Sequence, residues 1–441
     1  MERRVDGRKI QIVVVGGGAG GLELVAKLAR ILGKIDYDII LVDRNQTHIW
    51  KPLLHEVAAG SLDANLDEVG YRGHAYRWGY RYFDGALETV DRTAREIVVA
   101  PIIEDGREII GRHRIRYDYL VLAVGSVSND FGTPGVREHC IFLDERAEAD
   151  RFRRKLLNQC LRVSRSVIAN PGSNAAVEVV IVGGGATGVE LAAELHMSAA
   201  NLAMYGLEVF DAKRLKVTLV EAGPRILPAL PEKLAAAARG ELQALGVRVA
   251  TGEMVVEATA DGIRTKTGEF IDADLMVWAA GVKGADFMYE IGGLETNRGN
   301  QVVVGPTLQT TRDERIYAIG DCAYYVPAGA ERPVPPRAQT AHQMADIAFH
   351  NIRAAIEGKP LRPFLYQDHG SLVSLARYAT VGSLMGNLVG GRMAIEGRLA
   401  RFVYVSLYRM HLIAIHGWLK GLSLILLGHV NQVIRPKLKL H

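Results

Sequence analysis

One unit occurs twice in this chain and limits what it can fold into: a buried strand, a glycine turn, an apolar helix, and a second strand that ends in an acid. In the first copy Gln11 to Val15 reads as the strand, and Gly16, Gly18 and Gly21 fit G-x-G-x-x-G. Leu22, Val25, Leu28, Ala29 and Leu32 follow at helical spacing, and Asp38 to Val42 leads to Asp43. The first glycine permits a tight turn, the second lets backbone approach a pyrophosphate, and the third lets helix pack on strand. The helix N-terminus offers N–H groups and partial positive charge to phosphates, and the acid can accept hydrogen bonds from ribose hydroxyls.

The second copy has a strand at Val177 to Val182, glycines at 183, 185 and 188, a helix opening over Val189 to His196, and a strand from Val217 to Val220 ending in Glu221. Gly16 and Gly183 are 167 residues apart, too far for a solenoid and right for two separate domains. The expected fold is therefore α/β, with two Rossmann-like dinucleotide-binding domains. Glu221 can bond a ribose 2′-OH and repel a 2′-phosphate, which favours NADH over NADPH; Arg225 nearby would soften that exclusion.

Forty-seven glycines against 15 prolines suit such turns. Cys140, Cys160 and Cys322 form no C-x-x-C and cannot all pair, so neither a disulfide framework nor a structural zinc site is expected. Arg3, Arg4, Arg8 and Lys9 precede an apolar run that ends in glycines, which reads as a first strand and not a leader. The formal charge of +4 is uneven. From Arg392 onward eight basic residues face Glu396 alone, a net +7 that leaves −3 on the body. A basic, apolar tail without interleaved aromatic and basic residues suggests an anionic lipid surface and not a nucleic acid.

Late in the chain Ile316 to Ile319 forms a strand ending in Gly320-Asp321, with Thr310-Thr311 before it and Cys322-Ala323 after. With the segments Leu120 to Gly125 and Leu275 to Gly281, this arrangement resembles the two-dinucleotide flavoprotein reductases. The resemblance implies non-covalent FAD on the first unit, Asp321 at a ribityl hydroxyl, and NADH on the second unit. Members with a redox cysteine pair carry it soon after the first glycine loop; here that stretch is His48 to Glu56 and holds none. Electrons must then leave the flavin directly. Lys51-Pro52-Leu53-Leu54 resembles the flavin-contact loop of type II, non-proton-pumping NADH:quinone oxidoreductases. Ala338-Gln339-Thr340-Ala341-His342-Gln343 resembles their motif at the quinone side of the flavin.

The similarity runs over essentially the whole chain, including Asp368 to Leu372 and the terminal Arg435 to His441, and points to the respiratory enzymes of enteric bacteria. It implies a peripheral protein on the cytoplasmic face of the inner membrane that passes two electrons from NADH through FAD to ubiquinone or menaquinone. The cofactor-binding candidates are Gly16, Gly18, Gly21, Asp43, Lys51, Gly125, Gly320, Asp321 and Ala338 for FAD, and Gly183, Gly185, Gly188, Glu221 and Gly281 for NADH. The catalytic candidates are Glu190, Gln339 and Gln343. The resemblance puts Glu190 between nicotinamide and flavin, to position NADH or relay protons; read locally, it compensates a helix dipole. A helix after Pro336 would put Gln339 and Gln343 on one face, with His342 beside them.

The FAD domain is expected to be discontinuous, 1–135 and 301–355, with the NADH domain inserted at 136–300 and a membrane-associated region at 356–441. No tail segment approaches the roughly 20 apolar residues of a membrane span. Read as one helix from Phe402, Arg409, His416, Lys420 and Ser423 share a face, as an in-plane anchor requires. The same pattern serves a helix packed on the domain or in a homodimer interface. His411 and His416 beside Met410 read as packing residues, so no metal is expected. A sulfide:quinone oxidoreductase, which needs working thiols, and a nucleotide-sensing scaffold without turnover are the competing readings.

Overall fold

The computed structural model describes residues 8–202, 210, 212–368, 370–375, 379–386, 391–396 and 408–434. Ile10–Val15 lies inside a six-stranded sheet ordered Gln309–Thr310, Asp313–Ala318, Tyr119–Leu122, Ile10–Val15, Tyr37–Asp43, Arg81–Asp84. All neighbours are parallel except the first pair. Ile12, Val13 and Val14 are fully buried, as an unbroken apolar run in a parallel sheet requires. The helices Ala19–Leu32 and Ala338–Ile356 pack so closely that a Cβ at Gly20 would lie 2.9 Å from the Ala341 carbonyl oxygen.

The second sheet is wholly parallel, in the order Ile141–Phe142, Leu275–Trp278, Val177–Val182, Leu215–Glu221, Arg248–Thr251. The glycine turn after Val182 opens the helix Ala186–Asn201. Leu54–Ala59, after the first unit's second strand, is a short helix whose Leu54, Val57 and Ala58 join one core with Phe152, Leu156 and Val189. Each fully buried aliphatic side chain there contributes roughly 1.5–3 kcal/mol. The loop that leaves the first unit is thus held by the core of the second. Residues 370–375, 379–386 and 391–396 form a three-stranded antiparallel sheet.

The tail departs from the single helix expected from Phe402. Residues 402–407 lie outside the described residues, as do Arg398, Arg401, His369 and the terminal 435–441. A helix over 408–416 ends at Gly417, whose φ of +79° is the left-handed conformation that terminates helices, and Trp418–Ile434 begins anew. Ile415 is fully buried in the first core, and its carbonyl accepts a hydrogen bond from His74 Nε2 at 2.8 Å. His416 turns toward His74, with ring centroids 5.6 Å apart, instead of sharing an outer face with Lys420. The segment 408–416 is therefore part of the domain. The helix after it is different: Trp418, Leu419, Leu422, Leu424, Leu426 and Leu427 are exposed, Leu419 to 87%. Among the described residues no helix is long and apolar enough to cross a membrane.

Candidate active site

The glycine turns have the geometry their spacing predicts. Gly16 and Gly183 sit at φ +100° and +116°, and a Cβ on either would strike the backbone carbonyl of Ala123 or Ala279. A Cβ on Gly21 or Gly188 would strike the carbonyl of Gly16 or Gly183, so the third glycine is needed for helix to lie on turn. Gly18 and Gly185 have nothing within 4 Å of a Cβ position; these open points are where phosphate would lie. Each terminal acid braces its own turn. Asp43 accepts from the backbone N–H of Gly17 (2.6 Å) and Asn45 (2.7 Å), and Glu221 from those of Gly184 and Gly223 (both 2.6 Å). Burial pushes the Asp43 carboxyl above its usual range, against those hydrogen bonds. Arg225 spends its guanidinium on the carbonyls of Leu230 and Pro228, so it is committed to its own loop.

A cavity of about 1990 Å³ runs past both units. It is lined by Gly16, Gly18, Gly21, Asp43, Lys51, Gly125, Gly320, Asp321 and Ala338 from the first unit's set, and by Gly185 and Gly281 from the second. Glu190, Gln339 and Gln343 line it too, whereas Gly183, Gly188 and Glu221 are not on its wall. Asp321 receives a hydrogen bond from Ser126 Oγ (2.8 Å), and Lys51 Nζ donates to the Ser126 carbonyl (3.1 Å). Burial raises the Asp321 carboxyl, and Ser126 and Lys51 work against that rise. Gln301 holds the Asp321 carbonyl from behind at 2.7 Å. An open glycine turn, a bracing acid and a buried carboxylate along one long cavity fit FAD.

Glu190 is buried, and its Oε2 lies 3.6 Å from Nδ1 of His55, on the loop helix that crosses from the first unit. Burial drives the His55 imidazole down to about 4, so it stays neutral. Gln339 and Gln343 both stand on the first turns of Ala338–Ile356, as expected, but their amides serve the chain itself. Gln339 donates to Asp368 (3.3 Å), while Gln343 donates to the Gln367 carbonyl and accepts from its N–H. Sequence reasoning passed over Glu23, whose carboxylate bridges His342 and His411, with His411 in turn bonded to His48. Among the described residues no group of three or more side chains is placed to hold a metal ion.

Known proteins match this arrangement over its full extent. Residues 10–345 fit the family model described as pyridine nucleotide-disulphide oxidoreductase. A type II NADH:quinone oxidoreductase of Haemophilus influenzae is 46% identical, the match covering 98% of this chain and 99% of that one. The chain belongs to the type II NADH:quinone oxidoreductases. A Staphylococcus aureus enzyme of the same name is 28% identical over 87% of the chain. In fold, the chain is similar to the NDH2 of Plasmodium falciparum solved with NADH, at TM-score 0.81 and 19% identity, covering 98% of this chain and 100% of that one. It is also similar to the sulfide:quinone oxidoreductase of Aquifex aeolicus, at TM-score 0.70 and 17% identity, covering 96% and 95%. Cys322 is fully buried, its thiol pushed up by burial to about 11, and Cys140 and Cys160 are buried as well, each pushed to about 12. None of them is poised as a thiolate nucleophile.

Proposed function

We propose that this protein transfers two electrons from NADH to a membrane quinone, using FAD held on its first glycine-loop unit. Belonging to the type II NADH:quinone oxidoreductases supports the reaction. The observation that carries the residue assignments is the single cavity along which the FAD cradle, Glu190 and Gln339 all stand. Bound FAD supplies one ring that accepts and then donates an electron pair. The turn 16–21 and Asp43 hold the adenosine end, and Asp321, positioned by Ser126 and Gln301, meets the ribityl chain. The second turn, 183–188, and Glu221 hold NADH, with Gly281 at the passage between domains.

Glu190 orients the nicotinamide from inside the boundary, beside the neutral imidazole of His55. Gln339 meets the quinone at the start of its helix, while Gln343 fixes the backbone at Gln367, on the cavity wall. The domains divide at 135, 300 and 355. The protein lies on the cytoplasmic face of the inner membrane, the exposed apolar side chains between Trp418 and Leu427 and the basic residues of the tail meeting anionic lipid, and its acceptor is ubiquinone or menaquinone. The test is anaerobic: NADH should bleach the yellow protein and added quinone should restore the colour. Bleaching without recovery would remove the quinone assignment.

A further inference from the structure

Quinone reduction leaves a proton unaccounted for. NADH, H⁺ and quinone give NAD⁺ and quinol; the hydride of NADH carries two electrons and one proton, and quinol needs two protons. The second must come from water. One hydrogen-bonded path in the described residues runs along the cavity wall from a half-exposed imidazole to a buried one. His342 Nδ1 bonds Glu23 Oε2, Glu23 Oε1 bonds His411 Nδ1 at 2.6 Å, and His411 Nε2 meets His48 Nε2 at 3.0 Å. The His342 side chain is 48% exposed, that of Glu23 9% and that of His411 2%. All four residues line the cavity, and Trp50 covers His411 at a centroid distance of 4.3 Å.

We propose that the second proton of quinol reaches the quinone through the relay His342, Glu23 and His411. Glu23 links the exposed imidazole to the buried one; His411 takes a proton at Nδ1 and gives one up from Nε2, the nitrogen it shares with His48 on the cavity wall, to the reduced quinone oxygen, so each group ends the turnover as it began. Burial alone would raise Glu23, but hydrogen bonds from His342 and His411 outweigh it and hold the carboxyl below its usual range. The same bond to Glu23 raises His342 above the usual imidazole range, against its partial burial. Lys27 and Asp346 flank the outer imidazole. At the inner end burial lowers His48, and His74 and His416 behind it, so these imidazoles stay neutral beside the relay. The relay rests on quinone being the acceptor and does not depend on which glutamine meets it.

The test compares two acceptors in the FAD-loaded enzyme: a short-chain quinone, which needs protons, and ferricyanide, which takes electrons alone. In Glu23→Gln the ratio of the quinone rate to the ferricyanide rate should fall at least 10-fold, with a larger solvent deuterium isotope effect on the quinone step. His342→Ala, at the exposed end, should lower the ratio less and regain it when imidazole is added to the buffer. Histidine-selective NMR should show His342 titrating at lower pH once Glu23 is replaced. An unchanged ratio in both variants, or no rescue by imidazole, would overturn the relay. Equal loss with both acceptors would overturn it too, leaving Glu23 as a tether for 408–416. Failure of wild-type enzyme to reduce quinone at all would instead sink the functional reading.

Discussion

Gly16 and Gly183 sit in nearly the same backbone conformation, under carbonyls contributed by equivalent strands, and the acids Asp43 and Glu221 brace the two turns alike. The offset of 167 residues that relates the turns also maps Glu23 onto Glu190, two residues after the third glycine in each copy. Both carboxylates are buried, both line the cavity and both face histidine. They differ in where the histidines come from. Glu190 meets His55, on the helix Leu54–Ala59; Glu23 meets His342 and His411, from the helix Ala338–Ile356 and the segment 408–416. The repeat thus supplies one glycine-turn framework and two unlike settings for a carboxylate.

Breaking the shared part should have the largest effect. Gly16→Val forces a side chain into the Ala123 carbonyl at a φ that valine rarely adopts, and the protein should retain under a tenth of its FAD. Gly183→Val should keep FAD while NADH bleaches it at least about 100-fold more slowly, since a displaced nicotinamide loses its near-attack geometry. Flavin absorbance per chain and stopped-flow bleaching separate the two. Loss of FAD in Gly183→Val alone would reverse the assignment of the units.

Next in size is the carboxylate. Glu190→Gln should slow flavin reduction by NADH roughly 10- to 30-fold, while Glu23→Gln acts on the quinone step. Slowing of the same half-reaction by both would erase the distinction drawn above. Glu221→Arg should shift the ratio of kcat/KM for NADH over NADPH by about 10-fold or more toward NADPH. With Arg225 tied to Leu230 and Pro228, the existing cation is not placed to do this already. A ratio that stays put would take Glu221 away from the ribose.

The smallest effect is on stability. Burial holds His74 and His55 at about 4, against 6.5 when unfolded. As the pH falls below 6.5 the unfolded chain binds protons that the native imidazoles refuse, so stability drops toward pH 4, by at most roughly 3 kcal/mol per group. The first unit, which holds His48 and His74, should open before the second. Hydrogen exchange at pH 7 and pH 5 would reveal the order, and uniform loosening would count against it.

The glycine turns and their flanking strands were legible because their backbone geometry excludes side chains, so the sequence must spell them locally. The Asp321 site was legible only through resemblance. The histidine network was not legible, because Glu23 and His411 lie 388 residues apart and only packing brings them together. The 167-residue offset could have flagged Glu23 once Glu190 was chosen. Gln339 and Gln343 were read as paired donors because helical spacing shows which face a residue occupies, not that Gln367 and Asp368 would engage the amides. The tail misled for a related reason: its apolar character continues across Gly417, so periodicity joined two helices with different surroundings.

Gly417 also sets a length. Met410, on the cavity wall, and Trp418, on the exposed helix, are eight residues apart, at most about 12 Å of helical rise. Gly421 folds back against Ile413, with a Cβ position 2.8 Å from its Cα, which fixes the angle of the outer helix as well as its distance. If that helix floats at the depth of the lipid headgroups, the cavity mouth stands within a headgroup layer of the hydrocarbon. A hydrophobic tail much longer than the cavity could then stay in lipid while only its ring is drawn up to be reduced.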